Sequence, residues 1–409
     1  MHFSTVLARS PASILSHLSG LSKLYPNRVL LFALSPNVPP SDLAQLVQKL
    51  TAFSPQTIGC LSAPLPDYPH ALISCSLAVL DSESCIPFRS QIPGTVSPQV
   101  GRRHSFRQRG AQTDAFEGDM PTGTVDWANV WDQSLTTNEL PTELQTLSPD
   151  EVGSIIYFSD AAPEGLSNAL ARFPNATKLG LFAASTPFVT GRPVTLFQGD
   201  KIYGSGAVGV ALKSTEMRAS VQFLGMKALS PPMTVTQSEG NLVISLDKKN
   251  PTQLLLSAIR ASGIESNSLK DNDEFSLATL EAGEPHQMCS IMSGDPSRGT
   301  IALRSMTAPS VGAPVQFFHR PKSADASIPR EIAQPSSSRH TLGFMACPEL
   351  QQYANLEEEI SDDVVVVLQD TFLAASEGGF ILSRARAGTS ETPWSCAIPG
   401  GLATLTWNI

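Results

Sequence analysis

No stretch of this 409-residue sequence approaches the roughly 18 consecutive apolar residues that a membrane-spanning helix needs. Charge is scarce as well. Charged residues make up 16% and their balance is negative, −9 at neutral pH, which argues against a surface for nucleic acid or anionic lipid. The six cysteines (Cys60, Cys75, Cys85, Cys289, Cys347, Cys396) include no C-x-x-C pair. Neither a disulfide framework nor a zinc site is expected from that spacing, and reduced thiols inside a cell are. There is no G-x-S-x-G elbow, no H-E-x-x-H and no P-loop. Seven histidines fall mostly in loops or near prolines, without a spacing that suggests a catalytic triad. These absences point to a water-soluble protein without membrane insertion, cytoplasmic or nuclear, that binds rather than catalyses. Mitochondrial import is the alternative. Arg9, Lys23, Arg28 and several serines precede the first acidic residue, Asp42, as in a presequence. Yet Ile14, Leu18, Leu21 and Leu24 recur at helical spacing, which suits the first helix of a fold equally well.

What the sequence does contain is a repeated grammar. Residues 30–64 and 155–184 each read as an apolar strand, a polar turn, and a helix closing on a Phe followed by Pro. Each ends on a second strand carrying a glycine, Gly59 and Gly180. In the first copy Leu43, Leu46, Val47 and Leu50 form one helical face, with Ser41 or Asp42 placed to cap it. The chain is long enough for two or three domains, and the pattern predicts an α+β fold. Two domains of mixed sheets layered with helices are expected, residues 1–215 and 216–409.

Between the copies, from about 88 to 148, the periodicity dissolves. This stretch holds four arginines between Arg102 and Arg109, then Trp127 and Trp131. It reads as a solvated insertion, as an anion-binding patch, or as a phosphorylation site at Ser105 within Arg-Arg-His-Ser. Gly204, Gly206 and Gly209 meet the spacing G-x-G-x-x-G, but Val210-Ala211-Leu212, directly after them, looks like a strand. A dinucleotide cradle needs a helix there, so nucleotide binding is rejected. Asp160, directly after a strand, is either a reactive carboxylate or a partner for turn amides.

In the second half, strands are expected at 242–246, 300–304, 315–318, 342–347 and 364–368. Helices are expected after Pro251 and over 350–359, and a mobile loop at about 323–339. Three small groupings bear on chemistry. His286 and Cys289 are two metal ligands where zinc needs three or four. Cys347-Pro348 is similar to the Cys-Pro pair of haem-responsive proteins, with a packed thiol as the plainer reading. His319 with Arg320 at a strand end suits either an anionic ligand or simple hydrogen bonding.

Taken in order, several segments resemble the FIST family (F-box and intracellular signal transduction). They are Phe158-Ser159-Asp160, Arg172 to Lys178, Gly180, Gly206 to Gly209, Thr234 to Thr236, Asn241 to Val243, Leu246-Asp247, Asn250-Pro251 and Gly343 to Cys347. The resemblance covers nearly the whole chain outside 88–148 and 323–339. It implies an N-terminal and a C-terminal FIST domain and a ligand-sensing or protein-interaction scaffold. In that family some members bind haem and respond to nitric oxide, and others act behind an F-box as substrate receptors in ubiquitin ligation. Here residues 1–26 are too short for an F-box, and no kinase or cyclase module comes after the fold. A stand-alone module is therefore expected, with a small-molecule ligand or protein partner bound between the halves. The implied pocket is lined by Gly206, Gly209, Gly225, Met226, Phe344 and Cys347, with His319 and Arg320 as anion contacts. Haem is the one cofactor the resemblance suggests. An enzyme using Asp160, Cys347 or His319 is the competing reading.

Overall fold

A computed structural model describes residues 1–66, 68–69, 72–92, 140–213, 217–264, 274–295, 299–305, 307–321, 328–333, 339–348, 364–386 and 389–408. Ser105 with the 102–109 arginines, Trp127, Trp131 and the helix expected over 350–359 lie outside the described residues.

The first 80 residues build one unit. It comprises β1 (His2–Ala8), α1 (Pro11–Leu24), β2 (Val29–Leu34), α2 (Pro40–Thr51), β3 (Thr57–Leu61) and β4 (Ile73–Leu80). The strand order is β1-β4-β2-β3, with β2 and β3 parallel and β4 antiparallel to β2. β2, Val-Leu-Leu-Phe-Ala-Leu, is buried at every position, as a continuous apolar run between two covered faces must be. Helix α1 starts at Ser10, whose hydroxyl accepts the Ala12 amide, and buries Ile14, Leu18 and Leu21 at the expected spacing. Helix α2 begins two to three residues earlier than the sequence suggests. Pro39 is its cap, so Ser41 and Asp42 occupy the first turn, where Asp42 faces the positive end of the helix dipole.

The same topology recurs. The second unit has β5 (Cys85–Ser90), a 3₁₀ turn (Thr142–Leu144), β6 (Val152–Ser159) and α3 (Glu164–Ala169). It continues through β7 (Thr177–Phe182), α4 (Pro187–Thr190), β8 (Leu196–Gln198), β9 (Lys201–Tyr203) and β10 (Ala207–Lys213). Its order is β5-β10-β6-β7, again with the last pair parallel. The expected insertion at 88–148 is therefore shorter. Residues 85–90 are a paired strand, and Leu140 and Leu144 are already buried in the core under this sheet.

A third unit begins with β11 (Met217–Phe223) and is interrupted by strands that the sequence does not reveal as one body. These are β12 (Lys227–Ala228), β13 (Met233–Glu239), β14 (Leu242–Leu246), β15 (Glu274–Glu281), β16 (Glu284–Asp295), β17 (Thr300–Leu303) and β18 (Pro314–Arg320). Strand β18 pairs with both β13 and β15, closing β13-β14-β17-β16-β15-β18 into a six-stranded barrel. Its interior packs Val235, Val243, Leu277, Ile301 and Phe317. Helix α5 (Pro251–Ala261), capped by the Asn250 side chain, adds Leu255 and Ile259 to that cluster.

The third unit resumes with β19 (Arg339–Ala346), β20 (Val365–Gln369), β21 (Thr371–Ser376), β22 (Phe380–Ser383) and the short pair β23 (Ala385–Arg386) and β24 (Thr389–Ser390). It ends with β25 (Trp394–Cys396) and β26 (Gly401–Asn408). The order β11-β26-β19-β21 repeats the same plan a third time. Strands then cross between units. β20 joins β1, β8 joins β3, and β22 with β25 extends the second sheet beside β7. Late residues thus complete both early sheets.

All three sheets turn one face onto a shared core that includes Phe3, Leu31, Phe158, Leu181, Phe344, Phe372, Phe380 and Trp407. The outer faces of the first two sheets carry α1 and α2, and α3 with the 3₁₀ turn. The α+β expectation holds only loosely. The described residues are mostly β, with 48% strand against 19% helix, and their helices are thin outer layers.

Candidate functional site

The residues singled out from sequence occupy four separate elements. Gly206 is a turn glycine at φ +77°, and Gly209 has its Cβ space filled by the Ile156 carbonyl oxygen and Tyr157 Cβ, at 2.5 and 2.6 Å. Gly225, at φ +73°, comes after β11, and Met226 packs against the shared core. Phe344 is fully buried, its ring 5.8 Å from Phe158 and 6.4 Å from Phe372. Cys347 is buried, and burial, with Glu377 adding to it, pushes its thiol up to about 12. A thiol held protonated in packed surroundings does not suit axial haem ligation, which needs the thiolate and an open face. His319 lies on β18 of the barrel, stacked on Phe275 at 5.2 Å, with Arg320 next to it.

Asp160 is a turn clamp. Its carboxylate accepts the Gly206 amide at 2.5 Å and the Ala162 amide at 3.0 Å. His286 is bound into an ion-pair network instead of a metal site. It lies 2.6 Å from Glu281 and 2.8 Å from Glu391, which accepts from Arg384 at 2.8 Å and so ties the barrel to the segment after β22. Burial alone would raise the Glu391 carboxyl, but hydrogen bonds from His286 and Arg384 hold it down at about 2. Among the described residues no group of three or more His, Cys, Asp or Glu is placed to hold a metal ion.

The chemistry that sequence reading missed is on the outer face of the second sheet. There Tyr157, Ser167, Leu170, Lys178, Ile381, Ser383 and Pro393 line a cavity of about 10 Å³, room for a single water. Lys178 is only 4% exposed, and burial lowers its ammonium from 10.5 to about 8. Tyr157 is 1% exposed and its hydroxyl lies 3.5 Å from that of Ser167. Burial pushes the phenol up, so it stays a donor across the physiological range. The Ser383 hydroxyl donates to the Glu391 carbonyl at 2.6 Å. Beside Tyr157, Glu164 is half-buried, and burial first, then Asp160, raises its carboxyl.

Local structure explains why these groups meet. Lys178 sits opposite Ile155 on β6 and opposite Ser383 on β22, so the ladder delivers Lys178 and Ser383 to the same face. Tyr157 is opposite Gly180, and any Cβ at Gly180 would overlap the Tyr157 ring, so the glycine gives the phenol its course across the strand. The first unit has the same arrangement in purely structural form. Phe32 lies over Gly59, and Thr57, two residues before that glycine, donates to the Ser54 carbonyl. At matching positions the second unit carries a phenol where the first has a phenyl ring, and an amine where the first has a threonine.

A model of the FIST N domain matches residues 27–249, more than half of the chain. The chain belongs to the FIST family. The matched segment contains β2 through β14, hence both glycine-crossed strand pairs, β2-β3 and β6-β7, and the Tyr157–Lys178 pair. FIST proteins are linked to signal transduction and small-ligand sensing. No curated protein matches this FIST chain.

Proposed function

We propose that this FIST protein is a ligand-sensing module that receives a small carboxylate or comparable anion at Lys178. The observation that carries this reading is the buried amine that shares a cavity with hydroxyls, at a register position where the first unit has Thr57. Desolvation disfavours a buried ammonium, and an anion in the cavity would offset it with a charge-assisted hydrogen bond. Tyr157 and Ser167 supply neutral donors for the second oxygen. The lining also supports the idea of a ligand held between the halves of the chain. Tyr157, Ser167, Leu170 and Lys178 come from before residue 215, and Ile381, Ser383 and Pro393 from after it. Occupancy would be felt by β22, and through Glu391 by the barrel, which gives binding a route to a surface that a partner reads.

The test is isothermal titration calorimetry with fluoride, chloride, formate and acetate on the wild-type chain and on Lys178→Met. A charge-assisted hydrogen bond contributes about 1.5–3 kcal/mol, so the variant should bind roughly 10- to 100-fold more weakly. Equal affinity in the variant, or no binding of any of the four, refutes the reading.

A further inference from the structure

The third sheet ends on an open strand. β11 is its edge, and among the described residues only β26 pairs with it. We infer that two copies of the chain join along this edge, β11 against β11, antiparallel and centred on Ser220.

Repetition within the fold shows what such an edge accepts. β1 holds the matching position in the first unit, and there β20 is added antiparallel along its outer side. With a partner on each side, β1 is buried at six of its seven positions. β5 holds that position in the second unit and carries Pro87, a residue that blocks the addition of a further strand. β11 has neither cover nor block. It is seven residues long, pairs with β26 without a bulge, contains no proline and has one charged side chain, Arg218. A long, regular edge of low charge is a template for strand pairing. None of its positions is buried, although Met217, Ala219, Val221 and Phe223 pack against the shared core. The other edge of the same sheet, β21, is closed within the chain. There the Thr371 and Leu373 carbonyls accept from the Thr5 and Ser76 hydroxyls, and the Ala375 carbonyl accepts the Ala63 amide.

The sequence of β11 suits a second copy as its occupant. In an antiparallel pair centred on Ser220, Met217 lies opposite Phe223, Ala219 opposite Val221, and Arg218 opposite Gln222. Apolar side chains meet on the core side and polar ones on the other, and the one cation meets a neutral amide. Two four-stranded sheets become a single sheet of eight, and the half-covered apolar row continues across the two-fold axis.

The test is sedimentation velocity on the full chain, with variants chosen by register. The wild type should show a concentration-dependent dimer of twice the chain mass of 43.6 kDa. Ser220→Lys places two ammonium groups face to face at the axis and should leave monomer only. Gln222→Glu sets a carboxylate opposite Arg218 twice over and should lower the dissociation constant roughly 2- to 30-fold. Gln222→Arg should raise it by a similar factor. Gln222 is exposed, so its two variants decide the matter even if Ser220→Lys fails to fold. Ser220→Cys should form a covalent dimer under mild oxidation, whereas the wild type, whose cysteines are buried or, at Cys289, half-buried, should not. Wild-type monomer at every concentration overturns the inference. So does a dimer that Ser220→Lys and both Gln222 variants leave unchanged.

Discussion

Replacing Lys178 by Met should make this protein more stable at neutral pH, contrary to the usual effect of a change at a buried site. Met keeps an unbranched chain of similar length and removes the group that burial penalises. The ammonium falls from 10.5 to about 8, and at 1.36 kcal/mol per unit the desolvation cost is about 3 kcal/mol. Its pH dependence comes from proton counting. Below pH 8 Lys178 is protonated in both folded and unfolded chains, and the folded chain bears the whole cost. Between about 8 and 10.5 the unfolded chain holds a proton that the folded chain has shed, so wild-type stability rises with pH in that window. The variant lacks this rise. Melting temperatures of both proteins, measured in buffers from pH 7 to 10.5, should differ by on the order of 5 °C in favour of the variant at pH 7. The difference should close at the alkaline end. A difference that stays constant across this range, or a wild type that is the more stable at pH 7, refutes the reasoning.

Other parts of the account are open to equally plain tests. Gly180→Ala places a methyl group into the Tyr157 ring and should cost about 1–3 kcal/mol in denaturant unfolding, an effect that Tyr157→Ala in the same chain should partly relieve. Asp160→Ala leaves the Gly206 and Ala162 amides without an acceptor and should lower the melting temperature, whereas Asp160→Asn, which keeps one acceptor oxygen, should lower it less. Glu391→Gln should destabilise the protein at pH 7. Because the carboxyl titrates at about 2 when folded, against 4.5 ordinarily, the wild-type advantage should be full above pH 4.5 and fade as pH falls towards 2. Cys347 should resist iodoacetamide in the native protein and react promptly in denaturant; rapid native labelling would show that burial does not control this thiol.

The first two units were legible in the sequence because each signal is local. Val29–Leu34 is a strand-length apolar run, the helix faces keep their period, and Gly59 and Gly180 mark the strands that an aromatic ring crosses. The third unit was not legible. β11 alternates between half-buried and exposed positions, and the barrel separates it from its next strand, β19. The barrel itself exists only through the pairing of β18 with β13 and β15, a non-local fact that no short window contains. The candidate site was missed for the same reason. Lys178 inside Thr-Lys-Leu-Gly-Leu-Phe looks like a solvent-facing position on an edge strand. Only when β22 is laid against β7, more than 190 residues away in sequence, does the amine lie under cover. Residue-level clues such as Cys347 and His319 attract notice by type, yet each is accounted for by packing. A comparison of the two copies at matching register, Phe32 with Tyr157 and Thr57 with Lys178, was the signal that could have found the site.

The most direct test of the central claim is a crystal structure of the protein grown with the small carboxylate that binds most tightly in calorimetry. The account predicts density for the carboxylate within hydrogen-bond distance of Lys178 Nζ and of the Tyr157 or Ser167 hydroxyl, beneath Ile381 and Ser383. A fully occupied ligand at any other place, with the Lys178 cavity holding water alone, contradicts it.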